Sequence, residues 1–415
     1  MPLGILVLWY CLAGVPIKRN RRLIWFCVLV AILHGVQNLY YTAMFLQFLV
    51  LVALYHLLRR QSLERILFPM GLAAVLLFTV GVMNADTLYH RFVYGSNGGA
   101  IARNYAGLEL YALKPIELFV PIAHRMAPLE TWAITRYAKS AYVVGEMGSP
   151  YLGIVGIAGF LFLLVETAWL LARQQLSKVP IEIWPVLWIF AYSVIGGING
   201  FLGLFGMVFL RSTNRYSIFI LTLVLLFLMR RLTALSGRWH WAAPCLLAGS
   251  ITILGALDQI PGTTPASQIA ATRRMVQADE VMVATLEKKL PRGAMVFQLP
   301  VMEFPEVDPR RGVADYENFR PYLYAKRLRF SYGNDKGRNR EKWQKDAEQL
   351  EAPLLAGLLE SYGFSAILIN RKGYEDGAAS LLHNLQAVGK TDLLVESPEF
   401  FGVALTPAAH PALPP

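Results

Sequence analysis

The chain has 415 residues, 55% of them hydrophobic and only 16% charged, with a mean hydropathy of +0.43, which is more apolar than a water-soluble domain tolerates. Its formal net charge of +11 is carried by one half alone: residues 1–257 hold 20 Lys/Arg against 8 Asp/Glu, and residues 258–415 hold 19 against 20. Nucleic-acid binding would need that excess on a soluble face, so the composition excludes nucleic acid as a partner and makes the lipid bilayer the first one.

Residues 3–15 are apolar but too few for a full span of about 20 residues, and the basic run 18–22 follows rather than precedes them, which is the wrong order for a signal peptide. They read as the tail of a span whose beginning lies outside the sequence. Residues 23–58 are apolar throughout and bounded by basic pairs at Arg21-Arg22 and Arg59-Arg60. Equal flanks imply a turn back, expected at His34-Gly35-Val36-Gln37-Asn38. Further spans are expected over 66–83, 151–172, 183–199, 217–229 and 239–257. Residues 200–210 are apolar, glycine-rich and too short to cross, and read as a re-entrant or interfacial piece. Twelve of the basic residues fall in the four short turns on one side and eight across the longer segments on the other. The positive-inside rule then puts the long loop 84–150 and everything after 257 outside the cytoplasm.

From Asp258 the composition becomes that of a soluble α/β domain. Helical periodicity covers 265–290, 341–362 and 375–388, and short apolar runs at 294–299, 365–370, 393–396 and 402–406 read as strands. The Pro/Ala tail 406–415 is expected to be disordered. Cys11, Cys27 and Cys245 all sit in apolar runs, without disulfide or zinc spacing. The predicted architecture is a polytopic α-helical membrane bundle of about seven to eight spans over 1–257, followed by a small extracytoplasmic α/β domain over 258–405.

Four groups of residues carry candidate chemistry. In the long loop, Arg103, Glu109, Tyr111, Lys114, Glu117, His124 and Arg125 combine acid/base groups with cations suited to phosphate; the plainer alternative is the polar face of an interfacial helix. Arg211, Asn214 and Arg215 lie at the outer end of a span, where the charge bias does not explain two arginines; guanidinium matches lipid phosphate bidentately, and snorkelling to head groups is the alternative. Glu166 stands inside a span, two turns from an end where Arg173 or water is its expected partner. The soluble stretch 315–340, with Tyr332, Lys336 and Arg338, is dense in aromatic and basic side chains suited to sugars and phosphates. No P-loop, dinucleotide fingerprint, zinc motif, nucleophile elbow or kinase signature occurs. That argues against ATP-driven and hydride chemistry and calls for no cofactor, leaving only a divalent metal open.

The segments ELYALKPIELFVPIAHRM (109–126), SPYLGIVGIAGFLFLL (149–164) and GGINGFLGLFGMVFLRSTNRYSIFI (196–220), with FQLPVMEFPE (297–306) and YLYAKRLRFSYGNDKGR (322–338), resemble the layout of bacterial GT-C-class membrane glycosyltransferases. The resemblance implies an enzyme of the bacterial inner membrane with an external active site, a polyprenyl-phosphate sugar donor and a cell-envelope glycan acceptor. In that class the catalytic carboxylate lies in the first external loop, which has no counterpart here, so the catalytic residue stays unassigned. Arg211, Asn214 and Arg215 are expected at the donor phosphate. Arg103, Glu109, Lys114, Glu117, His124, Arg125, Tyr332, Lys336 and Arg338 are expected near substrate. Two other readings remain: a lipid-linked sugar translocase, disfavoured by the few polar residues within the spans, and a truncated, non-catalytic partner in envelope assembly.

Overall fold

A computed structural model describes residues 2–13, 20–122, 124–143, 145–236, 242–262, 264–305, 312–334, 336–337 and 339–414. The chain divides into two compact units, Met1–Val93 with Arg103–Thr263, and Tyr94–Ala102 with Thr264–Pro415.

The first unit is helical: α1 (Pro2–Ala13), α2 (Arg21–Gly35), α3 (Leu39–Leu58), α4 (Leu63–Met83), α5 (Ala85–Tyr94), α6 (Ala106–Leu110), α7 (Ala127–Ala133), α8 (Gly153–Ala172), α9 (Ile183–Ser193), α10 (Ile198–Gly203), α11 (Ser217–Ser236) and α12 (Ala242–Gln259). Five helices are long and apolar enough to cross a membrane, at Leu39–Leu58, Leu63–Met83, Gly153–Ala172, Thr213–Leu235 and Ala242–Gln259. Their surfaces agree with that role. Only 22% of the apolar stretch of α4, and none of that of α12, is buried by protein. Uncovered apolar surface on this scale is consistent with contact with a lipid bilayer. α1 and α9 are apolar but only 12 and 11 residues long.

The expected turn between α2 and α3 is built by capping. Asn38 accepts the Tyr40 N–H at 2.9 Å, satisfying one orphan donor of α3, and the Thr42 hydroxyl reaches back to the His34 carbonyl at 2.6 Å. α4 then packs along both helices. On α8, Gly156 and Gly159 form a flat strip. A Cβ on either would lie 2.7 Å from Leu221 or Val224 of α11, so glycine sets how closely these helices approach. That packing decides the partner of Glu166: its carboxylate is bonded by Arg231 of α11. The expectation of Arg173 is corrected here, since the Arg173 guanidinium stacks instead on Trp169, 4.2 Å from the ring centroid.

The second unit contains α13 (Ala266–Lys289), β1 (Met295–Leu299), α14 (Arg320–Tyr324), β2 (Arg329–Phe330), α15 (Asn339–Glu348), α16 (Ala352–Ser361), β3 (Phe364–Asn370), α17 (Ala379–Ala387), β4 (Leu393–Glu396) and β5 (Phe400–Ala404). The sheet is small and mixed, in the order β2-β1-β3-β5-β4. β1 is parallel to β2 and β3, while β5 is antiparallel to β3 and β4. Every residue of β3 is buried, because its two faces feed two cores. Ile367 and Ile369 meet Leu355 and Leu359 of α16, and Ala366 and Leu368 meet Met282, Val283 and Leu286 of α13.

Three expectations change in this unit. The single helix over 341–362 is two helices, since Pro353 has no N–H to donate and fits only the first turn of a new one. The two-residue strand β2 lies inside the basic, aromatic stretch and has too little length to leave a periodic signal. The tail expected to be disordered is tied down: the Ala408 and Ala412 N–H groups donate to the Glu360 and Ser361 carbonyls, both at 2.9 Å. Residues 94–102 of the long loop also belong here, with the Asn97 amide donating to the Lys336 carbonyl at 2.8 Å.

Candidate functional site

The polar residues of the first unit gather where three chain segments are stitched by backbone bonds. α9 ends at Ser193, and its carbonyl accepts both the Leu113 N–H at 2.9 Å and the Thr213 hydroxyl at 2.8 Å. The Asn214 N–H donates to the Tyr111 carbonyl at 3.1 Å. Loop residues 111–118 and the segment 211–216 are thereby fixed side by side, ahead of the last turn into α11.

Glu146 is the carboxylate at the centre. The Arg215 guanidinium grips it with Nη2 at 2.8 Å from Oε1 and Nε at 3.4 Å from Oε2, and the Asn214 amide adds a bond of 3.1 Å to Oε2. The Arg215 hydrogen bonds, then Asn214 and the nearby Arg211 charge, hold the Glu146 carboxyl below its usual range against the opposing effect of burial. Both guanidiniums rest on aromatic faces, Arg211 5.0 Å from the Tyr111 centroid and Arg215 5.1 Å from that of Tyr40. Arg211 Nε and Asn214 Oδ1 are buried with no hydrogen-bond partner among the described residues. Arg215 and Glu146 keep 28% and 33% of their side-chain surface open, so a solute can reach them.

Beside this pair lies a second polar group. The Lys114 ammonium donates to the Leu110 carbonyl at 3.0 Å and sits 3.8 Å from Glu117. Glu117, 1% exposed, accepts the Tyr137 hydroxyl at 3.1 Å. Burial pushes the Glu117 carboxyl up against the pull of Lys114 and Tyr137, and burial with the Glu117 charge raises Tyr137 to about 12. The two groups adjoin at Gly145. A Cβ there would lie 2.3 Å from the Leu110 carbonyl oxygen and 3.4 Å from Lys114 Nζ, so only glycine lets the Glu146 segment run this close.

Of the residues singled out in the sequence, Arg211, Asn214, Arg215, Tyr111, Lys114 and Glu117 come together. His124 does not join them. It is buried, its Nδ1 accepts the Met126 N–H at 3.1 Å, and its Nε2 therefore donates to Asp258 Oδ1 at 3.1 Å. Asp258 also takes the Tyr151 hydroxyl at 3.3 Å and the Ile154 N–H at 2.8 Å, which makes His124 a clip between the long loop and α12. Arg103, Glu109 and Arg125 are exposed. In the second unit, Tyr332 is half-buried with its ring 6.1 Å from Phe319, and Lys336 pairs with Glu303 at 3.3 Å. Arg338 lies outside the described residues. Neither a known protein family nor a curated protein matches this chain.

Glu146, Tyr40 and Asp258 were not singled out in the sequence. Glu146 stands in a stretch, GlyGluMetGlySer, without periodicity, and its partner is 69 residues away. Its residue type was the only signal, and it shares that with four other carboxylates of the loop 84–150, Asp86, Glu109, Glu117 and Glu130. Among the described residues, no group of three or more His, Cys, Asp or Glu side chains is arranged to hold a metal.

Proposed function

We propose that this protein is an integral membrane glycosyltransferase-like enzyme that takes a sugar from a polyprenyl-phosphate donor to a cell-envelope glycan. The reading places it in the bacterial inner membrane, with α1, α2 and α9 adding to the five long helices to give seven or eight crossings. The long loop and the second unit then face away from the cytoplasm, because the short basic turns mark the other side.

The observation that carries the reading is the Arg215–Glu146 grip beside Arg211. Two carboxylate oxygens on one guanidinium fork occupy the geometry that two phosphate oxygens take. Arg211 brings a second guanidinium whose buried Nε has no partner among the described residues. The segment leading into Arg211 exposes Phe201, Leu204, Phe205, Met207 and Phe209, a surface suited to the apolar side of the head-group layer. A phosphate on a lipid chain satisfies both features at once. In the transfer step, Arg211 and Arg215 would take up the charge that grows on the phosphate as the bond to the sugar carbon breaks, from donors already in place. The ionisable residues Glu166 and His56 within the long helices are engaged, Glu166 with Arg231 and His56 with Gln61 and the Cys11 carbonyl. Side chains engaged in this way support transfer over translocation.

The test is sugar transfer from radiolabelled polyprenyl-phosphate sugars in membranes carrying either wild-type protein or Arg215→Ala. Loss of one bidentate charge-assisted contact of about 1.5–3 kcal/mol should lower transfer roughly 10- to 100-fold. Equal transfer by both proteins would remove Arg215 from the donor site, and no transfer above empty membranes by the wild type would refute the activity.

A further inference from the structure

A separate feature lies deeper in the first unit. α1, α3, α9 and α11 enclose an apolar groove of about 470 Å³, with Trp9, Val52, Trp184, Trp188 and Leu223 among its walls. One charged residue lines it, Glu182, immediately before α9. Its side chain is 1% exposed. Oε1 accepts Arg230 Nη1 at 2.5 Å, and Oε2 is buried with no hydrogen-bond partner among the described residues. Arg230 is half open to its surroundings and lies 4.4 Å from the Trp9 ring centroid. The guanidinium has five N–H donors, and the Glu182 bond occupies one.

We propose that this groove is a binding site for a phospholipid with a primary-amine head group, phosphatidylethanolamine, with an acyl chain in the groove, the ammonium on Glu182 and the phosphate on Arg230. The assignment follows from charge. An apolar groove by itself accepts any chain, but its end presents an anionic oxygen lacking a donor next to a cation with donors to spare. The complementary ligand carries a donor cation next to an anion on an apolar tail. A choline head has no N–H to give Glu182, and a glycerol head brings no cation to it. Arg59, directly after α3, and Arg231, next to Arg230 in α11, belong to the basic belt of the cytoplasmic face in the proposed topology. Trp9 lines the groove beside Arg230, and indoles are enriched at the head-group level. The proposal requires the bilayer but is independent of the transferase activity, since the groove and the Arg215–Glu146 pair share no residue.

Native mass spectrometry of the full chain in detergent tests it, with phosphatidylethanolamine, phosphatidylcholine and phosphatidylglycerol of identical acyl chains in competition. One phosphatidylethanolamine should be retained per chain in preference to the other two by about tenfold, the scale of one charge-assisted hydrogen bond. Glu182→Gln should abolish the preference while leaving chain binding, and Val52→Phe, which fills the groove, should lower retention of all three lipids. Equal retention of the three head groups by the wild type overturns the proposal whether or not the variants fold. So does a preference that survives in Glu182→Gln.

Discussion

Replacing Asp258 with asparagine is the sharpest test of how the long loop is held. The two oxygens of Asp258 accept from three donors: His124 Nε2 on Oδ1, the Ile154 N–H on Oδ2, and the Tyr151 hydroxyl, 3.4 and 3.3 Å from the two. His124 cannot turn acceptor, because its Nδ1 already accepts the Met126 N–H. Asparagine keeps the shape but turns one oxygen into an NH2 group, which must then face a donor on one side. It also removes the charge that strengthens the remaining bonds. His124 and Asp258 are only 3% and 12% exposed, so water does not repair the mismatch. One charge-assisted bond lost at a buried donor is worth about 2–3 kcal/mol. Spread over a unit of this size, that is a fall in Tm of roughly 4–12 °C. Thermal unfolding in detergent, followed by intrinsic fluorescence, reads it directly. Asp258→Ala should fall at least as far. A Tm for Asp258→Asn within a degree of the wild type would refute the account of Asp258 as an acceptor for fixed donors. Tyr151 supplies a second readout. Burial and the neighbouring Asp258 charge push its hydroxyl up to about 12, and Asp258→Asn should bring its alkaline titration down.

Two further predictions concern charge pairs. In the second unit, Arg320 joins Asp279, Glu317 and Glu399 with contacts of 2.7, 3.1 and 2.8 Å. Arg320→Met strands the Asp279 carboxylate, 3% exposed, and should destabilise this unit by about 3–5 kcal/mol in urea unfolding; a smaller loss than that of a surface substitution would show that the network is not what holds α13 to α14. At the Glu146 site the folded carboxyl lies below its ordinary value of about 4.3, held there first by Arg215. Its contribution is therefore complete above that ordinary value and is lost as pH falls through the lower, folded one. The difference in Tm between wild type and Glu146→Gln should be constant near neutrality and vanish in acid. A difference that is unchanged across the acid range would show that the charge on Glu146 contributes nothing to the pair.

What the sequence determined is what depends on neighbours in the chain. Apolarity sustained over about 20 residues marked the segments that became α3, α4, α8, α11 and α12. Asn38 supplied the cap that ends the apolar run between α2 and α3. The run SerAlaIleLeuIleAsn announced a strand, and β3 is one; that it is buried throughout came from the structure. Local pattern failed where an element was too short to have a period, as in β2, or where one proline outweighed a helical stretch, as at Pro353. Candidate residues were legible by type, since arginines at a span end and carboxylates in an apolar loop stand out against their surroundings.

Which of those residues meet was decided only by the tertiary structure. Glu146 reaches Arg215 across 69 residues, Glu166 reaches Arg231 across 65, and His124 reaches Asp258 across 134. A single charge carries no record of its distant partner. The pairing follows from helix packing, as where Gly156 and Gly159 bring α11 against α8, and from backbone bonds such as Asn214 to Tyr111 that set two loops in register. The sequence thus determined which segments are long and apolar enough to cross a membrane and which side chains are available to act there. The fold determined that His124 is a clip, that Glu146 sits in the grip of Arg215, and that Glu182 faces an apolar groove, because burial and long-range contact fix what each charge can reach.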